Sequence, residues 1–241
     1  MTVVREEIVR RKLSHEVFDR LKAMITGGEV RSGDAMPSER ELMDRFGVGR
    51  PAIREAMQAL ANIGLITITH GERARVCALT ARSIFRQVDP VAHLLLAGSP
   101  DRLEHLQQAR LFFERGMVRE AAARAGARDI EALAATIELQ RAHLGQAAAF
   151  IAADMRFHTA IAAISGNPIF EAVSEATLGW LREYHTDLLI WSGKEDLTLA
   201  EHAEILDRIA AHDPDGAEAA MTRHLERSAA LYAVESPRAV R

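Results

Sequence analysis

Residues 37–66 carry three linked segments. These are Pro37-Ser38-Glu39-Arg40-Glu41-Leu42, then Gly47-Val48-Gly49-Arg50-Pro51-Ala52-Ile53-Arg54-Glu55-Ala56, then Leu60-Ala61-Asn62-Ile63-Gly64-Leu65-Ile66. Ser38 with Glu41 three residues later is a capping box, in which the serine side chain accepts from a helical N–H and the glutamate reaches back to the serine N–H. It starts a short helix over Leu42, Met43 and Phe46, which Gly47-Val48-Gly49 breaks. A further helix is expected from about Arg50 to Ile63, because Pro51 suits a first turn and Ile53, Ala56, Met57 and Leu60 share one face. Gly64 ends it.

Upstream, Val17, Phe18, Leu21, Met24 and Ile25 fall at helical spacing, with Ser14 as a candidate N-cap and Gly27-Gly28 as a stop. Downstream, Leu65–Thr69 and Arg73–Val76 alternate with the two-residue period of strands around His70-Gly71-Glu72. The order helix, helix, turn, helix, hairpin is that of a winged helix-turn-helix, whose third helix enters the DNA major groove and whose hairpin is the wing.

The charge balance narrows how such a domain would bind. The 241-residue chain has a formal charge of −4; residues 1–80 hold 13 Lys/Arg against 11 Asp/Glu, and the remainder 17 against 23. Only the first part can meet phosphates, and its excess of two positive charges makes the placement of individual arginines decisive. Arg40 and Arg45 on the second helix, and Arg50 and Arg54 on the third, are the candidates. Arg50 and Arg54, four apart, share a face near the helix N-terminus, where arginine can pair bidentately with guanine O6 and N7; Arg40 suits a phosphate. The alternative is a solvated face paired with Glu39, Asp44 and Glu55. In the wing, His70, Arg73 and Arg75 lie at or near the tip that would reach the minor groove, and a solvated tip is the competing reading.

Beyond a linker over residues 81–94, Ala, Leu, Glu and Arg dominate and no strand pattern returns. Helical periods over 101–126, 128–144, 146–165, 168–192, 196–212 and 214–233 predict an all-α domain spanning 95–235. Gly166, Asn167-Pro168 and Asp213-Pro214 supply the breaks. The fold class is therefore mainly α, with the small hairpin confined to residues 1–80.

No uninterrupted apolar run approaches the roughly 20 residues of a membrane span, and the first 20 residues alternate charge with apolar side chains. A cytoplasmic protein without a membrane partner is the expectation. Cys77, the single cysteine, excludes an intramolecular disulfide and is expected to be buried and inert. Any metal must then use histidine and carboxylate. Asp154 and His158 are four apart on one helix face, while His202 and His224 each lie 11 residues from Asp213. In an antiparallel hairpin those two imidazoles stand at one height. One carboxylate and three imidazoles suit zinc or a similar divalent ion, although the chain has 10 histidines and each alone could be surface or core decoration. Arg110 and Glu114, also four apart, read first as an intrahelical ion pair worth about 0.3–0.5 kcal/mol.

The segments Pro37–Leu42, Val48–Ala56 and Leu60–Ile66 resemble the winged-helix domain of GntR-superfamily transcription regulators. The resemblance implies a homodimer on a palindromic or repeated operator, with Arg40, Gly49, Arg50 and Arg54 at the DNA. The wing departs from the glycine-rich turn of many members, having His70-Gly71-Glu72-Arg73-Ala74-Arg75-Val76 instead, with Gly71 at its tip. The Asp-x-x-x-His pair followed by two histidines 22 residues apart resembles the metal-binding ligand domain of the FadR subgroup. That implies Asp154, His158, His202 and His224 as ligands, and Arg110 with Glu114 facing a carboxylate effector. The wing, the segment Arg110–Glu114 and Gly166-Asn167-Pro168-Ile169-Phe170 resemble members that respond to sialic acid, which implies N-acetylneuraminate or another sugar acid as effector of a repressor. Two other readings stay open: a metal-dependent hydrolase, which lacks the base of an H-E-x-x-H site, and a DNA-binding regulator with a purely structural metal.

Overall fold

Ser38 begins the second helix as the capping box requires: its Oγ accepts from the Glu41 N–H at 3.3 Å while the Glu41 carboxylate takes the Ser38 N–H at 2.7 Å. The computed structural model describes residues 12–78, 80–97, 101–189 and 194–233, and the chain divides into two compact units, Met1–Gln87 and Val88–Arg241. Readings that fall on residues 1–11, 190–192 and 234–235 lie outside the described residues.

In the first unit, α1 (Leu13–Thr26), α2 (Glu39–Phe46) and α3 (Arg50–Asn62) precede β1 (Ile66–Thr67) and β2 (Arg75–Val76). Ser14 is not the cap of α1; the cap is Lys12, two residues earlier, whose carbonyl accepts from the His15 N–H, and Ser14 is buried in the first turn. Gly47 closes α2 with φ of +65°, a left-handed conformation that costs glycine little. Leu21, Leu42, Ile53 and Leu60, all fully buried, join Met36, Ile66 and Val76 in one core, so the apolar face of α3 points inward and the Arg50–Arg54 face outward. The strands are shorter than the alternation suggests: Ile66 pairs with Val76 and Thr67 with Arg75, antiparallel. Cys77 is half-buried rather than buried, with Sγ 3.7 Å from Thr67 Oγ1.

The segment expected as linker is helical. α4 runs Ala81–Ala97, opened by reciprocal bonds between Thr80 and Ser83, the serine N–H to Thr80 Oγ1 at 3.0 Å and the threonine N–H to Ser83 Oγ at 3.0 Å. Pro90 lies inside it.

The second unit continues with α5 (Arg102–Arg124), α6 (Ala127–Arg141), α7 (Ala147–Ile164), α8 (Pro168–Leu189), α9 (Glu195–Ala210) and α10 (Pro214–Ala233). The breaks form as their chemistry dictates. Gly166 takes φ of +70°, Asn167 Oδ1 accepts from the Ile169 N–H at 3.0 Å ahead of Pro168, and Asp213 Oδ1 accepts from the Gly216 N–H at 2.9 Å. α7 packs against α5, α6 and α8, and α10 against α5 and α9. That position explains why α7 is apolar enough, by length and composition, to cross a membrane: Phe150, Phe157 and Ile161 fill the core of the bundle. Asp154 and His158 interrupt the same buried face.

Candidate metal centre and nucleic-acid interface

The four residues singled out by spacing meet in the second unit. Asp154, His158, His202 and His224 each offer a ligand atom within 4.8 Å of the others, and all four are buried. α7 presents the first two from successive turns, with His158 Nε2 at 3.7 Å from Asp154 Oδ2. The hairpin of α9 and α10 about Asp213 brings the rings of His202 and His224 to 4.8 Å, and His158 lies 5.3 Å from each. Phe157 stacks on His202 at 4.2 Å and walls the cluster on that side.

Each imidazole is oriented through its Nδ1. That of His158 meets Glu114 Oε2, that of His202 meets Gln140 Oε1 at 2.9 Å, and that of His224 meets Glu201 Oε2 at 2.7 Å. All three partners are acceptors, so Nδ1 carries the proton and the Nε2 lone pair is left for the centre. His158 Nε2 and His202 Nε2 are buried with no hydrogen-bond partner. Such orphaned acceptors cost about 1–3 kcal/mol each unless something satisfies them, and a divalent cation does so. The donor set therefore fits the metal that its chemistry suggests. Burial pushes the His202 and His224 imidazoles below the usual histidine range, which keeps them neutral.

Sequence reasoning missed the outer partners. Gln140 follows Leu133 and Ile137 on the inward face of α6, and a glutamine in a core stripe was the available signal; it also donates to Asp154 Oδ1 at 3.1 Å. Glu201 is anchored by Arg227, which donates from Nε at 2.6 Å. Glu114, expected to face an effector, is buried beside the metal cluster. Both of its oxygens are engaged, Oε1 by Arg110 Nε at 2.6 Å and Oε2 by His158. Burial raises its affinity for a proton, but Arg110 and His158 outweigh this and hold the carboxyl at about 2. Arg110 is itself buried and lines a cavity of about 220 Å³ with Gln107, Leu111, Leu181, Leu225 and Ser228. Gln107 Nε2 is buried there without a partner.

In the first unit, Arg50 and Arg54 stand on the exposed face of α3, behind the N-cap Gly49. Glu39, the first residue of α2, meets both: Arg54 Nε donates to Oε1 at 2.8 Å and Arg50 Nε lies 3.5 Å from Oε2. Arg45, in the last turn of α2, donates from Nη2 to Glu29 at 3.0 Å. Arg73 donates to Glu41 at 2.7 Å and Arg75 to the Gly33 carbonyl at 3.1 Å. Hydrogen bonds from Ser38, then the charge of Arg73, hold Glu41 below the usual carboxylate range. Arg40 is exposed, as are His70 and Gly71 at the wing tip, where Gly71 has φ of +80°.

A winged helix-turn-helix joined in one chain to a helical bundle with a buried Asp/His3 cluster defines a two-domain DNA-binding protein with a ligand-binding domain. The comparisons agree with this class. Residues 13–76 match the model of the bacterial regulatory proteins of the gntR family, and residues 105–227 match the FCD domain. The chain belongs to the gntR family of bacterial regulatory proteins. It is 39% identical over 231 residues to the HTH-type transcriptional repressor NanR of Enterobacter sp. (strain 638), covering 95% of this chain and 88% of the relative. It is 41% identical over 228 residues to the protein of the same name from Escherichia coli (strain K12), covering 93% and 86%. Among solved structures, Streptococcus agalactiae GntR has the same fold with a TM-score of 0.68, at 22% identity over 90% of this chain and 99% of that one. E. coli McbR/YncC follows with a TM-score of 0.53, at 16% identity over 94% and 99%.

Proposed function

We propose that the protein is a cytoplasmic transcriptional repressor whose operator binding is set by a carboxylate-bearing sugar acid, of the N-acetylneuraminate type, taken up in the helical domain. The observation that carries this reading is the buried cluster Asp154, His158, His202 and His224, with two imidazole nitrogens left without partners. Zinc is the proposed occupant, since one carboxylate and three imidazoles suit a borderline ion. When bound, it would supply positive charge to an effector carboxylate. The protein's part is to hold the ligand nitrogens in place and to present Arg110 and Gln107 at the cavity that they line. Glu114 acts there through Arg110 and His158, which it orients. The relatives named as transcriptional repressors support the DNA side of the proposal.

On DNA, Arg50 and Arg54 read base edges from α3, Gly49 lets the start of that helix approach the backbone, and Arg40 and Arg45 contact phosphates. His70, Gly71, Arg73 and Arg75 bring the wing to the minor groove. A homodimer on a palindromic or repeated site doubles these contacts. The sugar acid acts by preferring one of the two states of the dimer; a preference of about 5.5 kcal/mol nearly inverts the population.

The test is a gel shift on DNA upstream of the protein's own coding region, with and without N-acetylneuraminate. A shift that responds to this acid supports the proposal, and binding indifferent to it and to other acidic sugars overturns the effector assignment. Metal analysis of wild type and His202→Ala tests the cation site separately. Full retention of metal in the variant overturns the ligand set.

A further inference from the structure

The first turn of α2 sends two carboxylates outward to arginines of the DNA-facing surface: Glu41 to Arg73 of the wing and Glu39 to Arg50 and Arg54 of α3. The second arrangement is the more informative. One carboxylate meets two arginines of another helix, one at each oxygen, and each through Nε. A guanidinium has five N–H donors in a rigid fork. Arg54 Nε is hydrogen-bonded to Glu39 and Arg50 Nε lies within ion-pair range of it, which leaves the two terminal nitrogens of each as the end that matches guanine O6 and N7.

Stability does not explain Glu39. Its side chain is 38% exposed and those of Arg50 and Arg54 are 63% and 69% exposed, and pairs so open to water contribute little to stability. Affinity does not explain it either, because a carboxylate on this face repels phosphate and the domain has an excess of only two positive charges over residues 1–80. What the contact does supply is direction. An arginine side chain carries considerable rotamer entropy, and a fork already held by one edge loses less of it when it docks. The backbone that holds Glu39 is fixed in turn by the Ser38–Glu41 capping box immediately beside it.

We infer that Glu39 is a specificity-determining residue of the DNA interface: it holds the Nε edges of Arg50 and Arg54, presents their terminal nitrogens to guanine, and disfavours their collapse onto phosphate. The inference rests on the reading of Arg50 and Arg54 as base-reading residues proposed above.

The experiment uses the full chain. A preferred duplex is selected from random DNA with wild type, and its binding is compared with that of a scrambled duplex at one salt concentration for wild type, Glu39→Gln, Arg50→Ala and Arg54→Ala. Circular dichroism and Tm confirm that each variant is folded. Glu39→Gln is expected to bind the scrambled duplex as well as wild type or better, while its preferred-to-scrambled ratio falls by about 10-fold. Repeating the selection with the variant should relax preference at the same guanine positions that Arg50→Ala and Arg54→Ala relax. Equal changes on both duplexes, or relaxation at other positions, overturn the inference. If the arginine variants lose selectivity and Glu39→Gln keeps it, only the role of Glu39 fails. If the arginine variants themselves keep wild-type selectivity, the reading beneath it fails as well.

Discussion

Three histidines converge on one centre, each held through Nδ1: His158 and His224 lean on carboxylates and His202 on an amide. Glu114 is the more buried of the two carboxylates, and Arg110 fixes its other oxygen in a buried pair. Its loss should therefore be felt at the metal before it is felt in the fold. Glu114→Gln is expected to lower divalent-metal affinity roughly 10–100-fold, measured by competition against a chromogenic chelator. An unchanged affinity would remove Glu114 from the metal centre and leave it as a counter-ion for Arg110 alone. The ligand residues are legible in the sequence because helix periodicity and a symmetric distance from Asp213 are enough to bring them together. Gln140 and Glu201 are not, since a single polar residue in a helix acquires its partner only from how that helix rotates against its neighbours. Arg110 and Glu114 show the intermediate case: their i,i+4 spacing gives the pair, but burial at 6% and 5% changes it from a surface contact to a structural one.

At the scale of the element, the second helix has the heaviest demand per residue. It is eight residues long, contributes Leu42 to the core, and sets both Glu39 and Glu41 against arginines. So short a helix depends on its ends. Ser38→Ala removes the acceptor for the Glu41 N–H and is expected to cost about 1 kcal/mol, read as a lowered urea midpoint with unchanged slope. The same substitution should loosen the Arg73 contact, because Glu41 loses the serine side-chain bond that steadies its carboxylate. Helix ends of this kind are readable from sequence wherever serine, asparagine, aspartate, proline or glycine performs a local task, as at Ser38, Asn167, Asp213 and Gly166. α1 and α4 resist that reading for opposite reasons. The start of α1 has no side-chain cap at all, so Ser14 draws attention to the wrong residue. α4 carries Pro90 in its interior, a residue that argues against a helix because it removes one N–H from the ladder, although the helix runs through it. The wing strands are overestimated because alternation continues past the point where the two chains still pair.

On the scale of the whole molecule, acid and metal should oppose one another through the same cluster. In the metal-stripped protein, His202 and His224 lie below the 6.5 of an ordinary imidazole because burial disfavours their charged form. The unfolded chain takes up protons near 6.5 and the folded chain does not, so stability is complete above that pH and is lost as pH falls below it. Glu114 adds a second limb: held at about 2 against an ordinary 4.5, it contributes stability that is present above 4.5 and drains away as pH falls toward 2. Both limbs have the same sign, so Tm of the stripped protein should fall from pH 7 to pH 5 and more steeply below about 4.5. A divalent cation binds the neutral imidazoles and ionised carboxylate of the folded state, and at a concentration 100 times its Kd it adds about 2.7 kcal/mol. Protons compete for the same nitrogens, so that increment is largest at neutral pH and shrinks in acid. Differential scanning fluorimetry of stripped and zinc-saturated protein across pH 8 to 4 reads both effects at once. Two curves that coincide at every pH would sink the metal assignment, whereas a stripped curve that is flat between pH 7 and 5 would show that the histidines titrate alike in the folded and unfolded chain.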